Sequence, residues 1–129
     1  MDHRQLISSS SPWETTIGYS RAIRVGNLIE VSGTTAMDGD TIIGKGNVDE
    51  QTIFIFKKID NALHEAGATM NDVIRTRMYV TNIAEWKLIG KAHGEFFNTI
   101  KPAATMVEIK SLIHPDLMIE IEVTALNGN

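Results

Sequence analysis

A chain of 129 residues is the size of one domain, long enough to bury about two thirds of its unfolded surface. With 43% hydrophobic and 22% charged residues it is neither disordered nor fibrous, and a net charge of -4 argues against nucleic acid, whose phosphates call for clustered Lys and Arg. Cys is absent, which excludes disulfides, thiolate nucleophiles and zinc sites built on Cys, and no apolar run has the length of a membrane span or a signal-peptide core, so a cytoplasmic location is expected.

Residues 1–17 are polar, with Ser8 to Ser11 followed by Pro12, and read as a loosely tethered arm ahead of a single domain over 18–129. Ala22 to Val25 and Leu28 to Ser32 flank Gly26-Asn27, a dipeptide that supplies the positive φ angles of a two-residue hairpin. The stretch from Thr34 to Asn47 contains Gly39, Gly44 and Gly46 and predicts a loop with one short strand near Thr41 to Ile43. From Asp49, taken as the N-cap, Ile53, Phe56, Ile59 and Leu63 recur at helical spacing until Gly67 stops the pattern. Val73 to Thr81 alternates as a strand, with Ile74, Met78 and Val80 against Arg75, Arg77 and Tyr79. A second helix starts near Asn82 and gathers Trp86, Ile89, His93, Phe96 and Phe97 on one side before Pro102 ends it. Two strands follow, Thr105 to Ile109 and Met118 to Leu126, joined through a turn at His114-Pro115-Asp116.

This order predicts an α+β two-layer sandwich, a mixed sheet with two helices on one face. The apolar strand positions meet the helices. The other face then carries Arg75, Arg77, Glu108, Glu120 and Glu122 beside Val73, Tyr79 and Met106. Opposite charges mixed with apolar groups suit an oligomer interface, where Arg–carboxylate pairs fix register. A solvated sheet face is the alternative, and the alternation alone does not choose between them.

GNLIEVSG at 26–33, EFF at 95–97, KPAATMVEI at 101–109 and MIEIEVTAL at 118–126 resemble, in order, the blocks of the reactive-intermediate deaminase (Rid, YjgF-type) family. The resemblance runs from about Gly18 to Leu126. It implies a chorismate-mutase-like fold assembled as a homotrimer, with ligand clefts between neighbouring subunits. The family's deaminases carry an arginine after the Pro-Ala of the third block, understood to clamp the substrate carboxylate; here Pro102-Ala103 is followed by Ala104, which has neither charge nor donors. Tyr19 in GYSRA resembles the family's Pro-Tyr-Ser-Gln-Ala segment, with Gly18 for the proline and Arg21 for the glutamine. Gly90 stands where many members have a ligand-binding asparagine, and His93 where they often have tyrosine. Glu120 matches the acidic residue that positions a water or a substrate nitrogen.

These matches set the candidate site. Glu120 is the expected catalytic residue, orienting water for hydrolysis of an imine or enamine; its structural alternative is an ion pair with Arg75 or Arg77. Tyr19, Arg75, Arg77, His93 and Thr105 are the expected substrate-binding residues, with either arginine able to supply the anion contact that position 104 lacks. His93 is alternatively a satisfied histidine at the core, since it shares a helix side with Trp86, Ile89 and Phe97. His3, His64 and His114 have no ligand spacing, so no metal is expected, and no cofactor. The expected ligand is a small carbonyl or imine compound bearing an anion, acted on by a deaminase-type hydrolase or held by a non-catalytic binding trimer. Ribonuclease or translation-inhibitor activity, names attached to the family, is disfavoured by the acidic charge.

Overall fold

The computed structural model describes residues 3–128. Strict alternation on β8 (Ile119–Leu126) puts Ile119, Ile121 and Val123 under the helices and Glu120, Glu122 and Thr124 on the opposite side. Around it a six-stranded sheet forms in the order β1-β2-β3-β8-β6-β7. The other strands are β1 (Arg4–Ile7), β2 (Ala22–Val25), β3 (Leu28–Thr34), β6 (Val73–Val80) and β7 (Ala103–Glu108). All neighbours are antiparallel except β6 and β7, which run parallel. A separate two-stranded ribbon pairs β4 (Met37–Asp38) with β5 (Thr41–Ile42), where the sequence predicts a single short strand.

Both main helices, α1 (Val48–Glu65) and α2 (Trp86–Phe97), cover the same side, giving the expected α+β two-layer sandwich. Helix α1 buries Ile55, Phe56, Ile59 and Leu63 completely. Its cap is Asn47, whose side chain accepts from the Glu50 amide at 3.2 Å, so Asp49 lies in the first turn rather than at the cap. Carboxylates there face the positive end of the helix dipole. Gly67, at φ 83°, ends the helix as expected. Arg24 on β2 covers that end, donating from Nη1 to the Ala66 carbonyl at 2.8 Å. Asn82 caps a short 3₁₀ turn, Ile83–Glu85, that runs directly into α2.

Four features depart from the sequence expectation. Residues 4–7 of the arm form edge strand β1, with Ile7 buried and the Gln5 amide donating to the Glu65 carbonyl at 3.1 Å. A register shift between Val73 and Arg75 reverses strand parity there, so Val73 is buried and Ile74 is 48% exposed. On β7 the parallel register aligns Met106 with Met78 and Val107 with Tyr79, so Met106 packs on the core while Val107 joins the charged side. Both sets of β7 positions contain an apolar residue, and alternation alone does not say which faces inward. Glu108 therefore leaves the charged face and accepts from the Ile83 amide at 3.0 Å. Last, β7 and β8 are not neighbours: β6 lies between them, and the His114-Pro115-Asp116 segment belongs to a crossover.

That crossover is anchored by Gln51 of α1, which is fully buried. Its Nε2 donates to the Asp116 carbonyl at 2.9 Å and to the Gly44 carbonyl at 3.2 Å, while its Oε1 accepts from the Met118 amide at 2.9 Å. One amide thus fixes the start of β8, two residues before Glu120.

Candidate functional site

Glu120 emerges on the helix-free face of β8, opposite Tyr79 of β6. On its other side β3 carries a bulge between Val31 and Thr34, which brings the Gly33 backbone against the carboxyl. A Cβ at Gly33 would stand 2.9 Å from Glu120 Cδ and closer still to Oε2, so any other residue there would displace the carboxyl from this position. Burial, then the neighbouring Glu122, hold the Glu120 carboxyl above the usual carboxylate range, and Arg21 partly offsets them.

Arg21, just before β2, extends over the same bulge and donates from Nη2 to the Gly33 carbonyl at 2.6 Å. The Arg21 backbone amide is tied to the Ile7 carbonyl at 2.9 Å, so edge strand β1 helps place it. Its guanidinium lies 5.9 Å from the centre of the Tyr19 ring. Tyr19 follows a single π-helical turn, Glu14–Gly18, a form of backbone that concentrates at functional sites. Glu14 is buried and satisfied by the arm, accepting from the Ser9 amide at 3.2 Å and from the Ser8 and Ser9 hydroxyls. Lys58 of α1 reaches the rim of the cluster, donating to the Met37 carbonyl at 2.8 Å; burial lowers its pKa, and the charge of Arg21 lowers it further.

The other expected residues fall into two groups. Arg77 and Glu122 are 3.9 Å apart, Arg77 also donates to Thr124 Oγ1 at 3.3 Å, and the Tyr79 hydroxyl donates to Glu122 at 2.9 Å. This network borders a concavity of about 330 Å³ whose lining includes Glu30, Arg77 and Glu122 but neither Glu120 nor Arg21. Arg75 donates to Thr105 Oγ1 at 2.6 Å near the β7 edge. Both arginines thus share the open face with Glu120 and are bonded within their own strands' neighbourhood. His93 is on the helix side, 2.9 Å from Thr76 Oγ1, edge-on to Phe56 and 4.7 Å from the Phe97 ring, with its pKa lowered by burial. The sheet separates it from Glu120.

Sequence reasoning missed Gly33, Lys58 and the role of Arg21. Gly33 closes the GNLIEVSG block and Arg21 is the departure in GYSRA, so both were visible as positions. Their convergence on Glu120 depends on the β3 bulge, which no periodicity announces. Among the described residues no group of His and carboxylates has the geometry to hold a metal, and no helix is long and apolar enough to cross a membrane.

A mixed six-stranded sheet, helices on one face and a glycine-seated carboxyl on the other define a small two-layer α+β protein whose titratable cluster lies on the open sheet face. The family model described as Endoribonuclease L-PSP matches residues 9–127. A RutC family protein of Pyrococcus abyssi is 38% identical over 83% of this chain and 84% of its own. An uncharacterised protein of Streptomyces coelicolor is 34% identical over 95% of this chain and 91% of its own. Among solved structures, a Mycobacterium tuberculosis member of the YjgF/YER057c/UK114 family superposes with a TM-score of 0.87 at 44% identity, covering 96% of this chain and 99% of that one. The chain belongs to the YjgF, or endoribonuclease L-PSP, family.

Proposed function

We propose that this chain is a cofactor-free hydrolase that deaminates a small imine or enamine in clefts between the subunits of a homotrimer. The observation that carries this reading is the Glu120 carboxyl, half-buried over Gly33 with its proton affinity raised. In imine hydrolysis, water adds its oxygen to the carbon of the C=N bond while a proton passes to nitrogen. The carbinolamine then collapses to the carbonyl, and nitrogen leaves as ammonia after taking a second proton. A carboxylate whose proton affinity is raised accepts the proton from water and, as the carboxylic acid, returns it to the leaving nitrogen, an effect worth roughly 10²–10⁴-fold. Tyr19 supplies a wall beside it. On this reading Arg75, Thr105 and Arg77, on the open face and toward the β7 edge, would complete the pocket with a neighbouring chain.

A second reading, a trimer that binds the metabolite without turning it over, is favoured by Ala104, which leaves the family's clamp position with a methyl group. Ribonuclease activity, despite the family's name, finds little support in a chain of net charge -4. The two leading readings separate in an assay of ammonia release from freshly generated 2-aminoacrylate and larger imines. Wild type is expected to release ammonia, with Glu120→Gln slower by at least a hundredfold, on the order of the general acid–base contribution. Absence of turnover in wild type together with gain in Ala104→Arg would favour the binding reading.

A further inference from the structure

We propose that Arg21 is the anion-binding residue of this site, holding the carboxylate of an acidic substrate next to Glu120 from within the same chain. The inference rests on the proposed reading that the ligand site lies at Glu120. Arg21 makes one hydrogen bond to the Gly33 carbonyl, and its buried Nε has no partner among the described residues. A buried cationic donor left unpaired costs free energy, and such a group calls for an acceptor. None of the ion pairs among the described residues involves Arg21. Glu14 and Glu120 are near enough for Arg21 to sense their charge, but Glu14 is engaged by Ser8 and Ser9. Lys58 adds a second positive charge, and the Tyr19 ring lies beside the guanidinium.

Position 104 offers no equivalent within one subunit. Ala104 shares its register with Thr76, which is buried on the helix side, whereas Arg21 and Glu120 meet around Gly33 on the opposite side. Arg75 and Arg77 carry hydrogen bonds to Thr105 and Thr124, and Arg77 also faces Glu122. Among these three arginines only Arg21 combines nearness to Glu120 with a missing partner. A planar guanidinium matches a carboxylate bidentately, so an α-keto or α-imino acid would place its reacting carbon toward Glu120.

Binding of pyruvate and of its uncharged analogue pyruvamide, titrated by NMR against wild type, Arg21→Gln and Arg21→Lys, tests this. Wild type is expected to prefer pyruvate by about tenfold to a hundredfold, the worth of a charge-assisted contact. Arg21→Gln should bring that ratio close to one, the loss falling chiefly on pyruvate. If Arg21→Gln fails to fold by circular dichroism, Arg21→Lys decides. It lacks the fork and is expected to lose several-fold in pyruvate affinity alone. An unchanged pyruvate preference in a folded variant, or no pyruvate binding by wild type, overturns the proposal. A preference that depends on Arg21 in a protein releasing no ammonia would overturn the hydrolase reading and leave this one standing.

Discussion

Glu120 and Gly33 show how one missing side chain makes room for chemistry. The glycine admits the carboxyl to a half-buried seat, and the seat raises its proton affinity through burial and through Glu122. That arrangement has a consequence for stability. A carboxyl with a raised folded-state pKa binds its proton more tightly folded than unfolded, so its favourable contribution is complete below the ordinary carboxylate pKa. It is lost as pH rises from there through the folded value. Glu120→Gln, which removes the charge and keeps the shape, is therefore expected to melt above wild type at pH 7, with the gap closing toward pH 4. Thermal unfolding followed by circular dichroism at both pH values checks this, and a gap that widens on acidification would contradict it. His93 has the opposite sign. Its lowered pKa means stability held above about pH 6.5 and lost as pH falls below it, so the comparison of melting points must be made between variants at each pH.

At the scale of elements, α1 does more than cover the sheet. Through Gln51 it sets the register in which β8 delivers Glu120, using a buried amide where a hydrophobic residue would pack as well. Gln51→Leu keeps the volume but strips the Met118 amide and the Asp116 carbonyl of their partner, and takes one of two donors from the Gly44 carbonyl, which keeps the Asn47 amide. With each lost bond worth about 1 kcal/mol and more where no water replaces it, a loss of roughly 3 kcal/mol is expected. Urea denaturation should show a lower midpoint at unchanged slope; a midpoint within error of wild type would mean that the crossover is held otherwise. The helices and the β2–β3 hairpin were legible in the sequence because periodicity and the Gly26-Asn27 turn encode them locally. Strand faces were not always so. The inward set of β8 was readable because Ile119, Ile121 and Val123 oppose two glutamates, whereas β6 contains a bulge and β7 has apolar residues in both sets. Tyr19 and Glu120 could be read from motif likeness. The Arg21–Gly33 contact could not, because it joins positions 12 residues apart across a bulge that depends on strand pairing.

For the whole molecule, the open sheet face and its edges pose the remaining question. Leu6, Leu28 and Leu126 are exposed there alongside Arg77, Glu30 and Glu122, and β7 is a six-residue edge strand exposed along nearly its whole length. Such edges invite pairing, and natural proteins cover or charge them. Val107, 42% exposed beside Tyr79, is apolar where a permanently wet edge would carry Lys or Glu. Burying this face in a symmetric assembly would remove apolar surface from water and let the arginine and glutamate rows fix which subunits meet. On the proposed reading, each pocket would then take walls from two chains. Sedimentation velocity at micromolar concentration is accordingly expected to find a trimer. Val107→Asp places a desolvated charge in the interface, so it should yield a smaller species and lose ammonia release in the same step. If wild type sediments as a single chain and still turns over an imine, the pocket is complete within one subunit and the open face serves another purpose. If Val107→Asp dissociates but keeps full turnover, assembly and catalysis are separate properties of this fold.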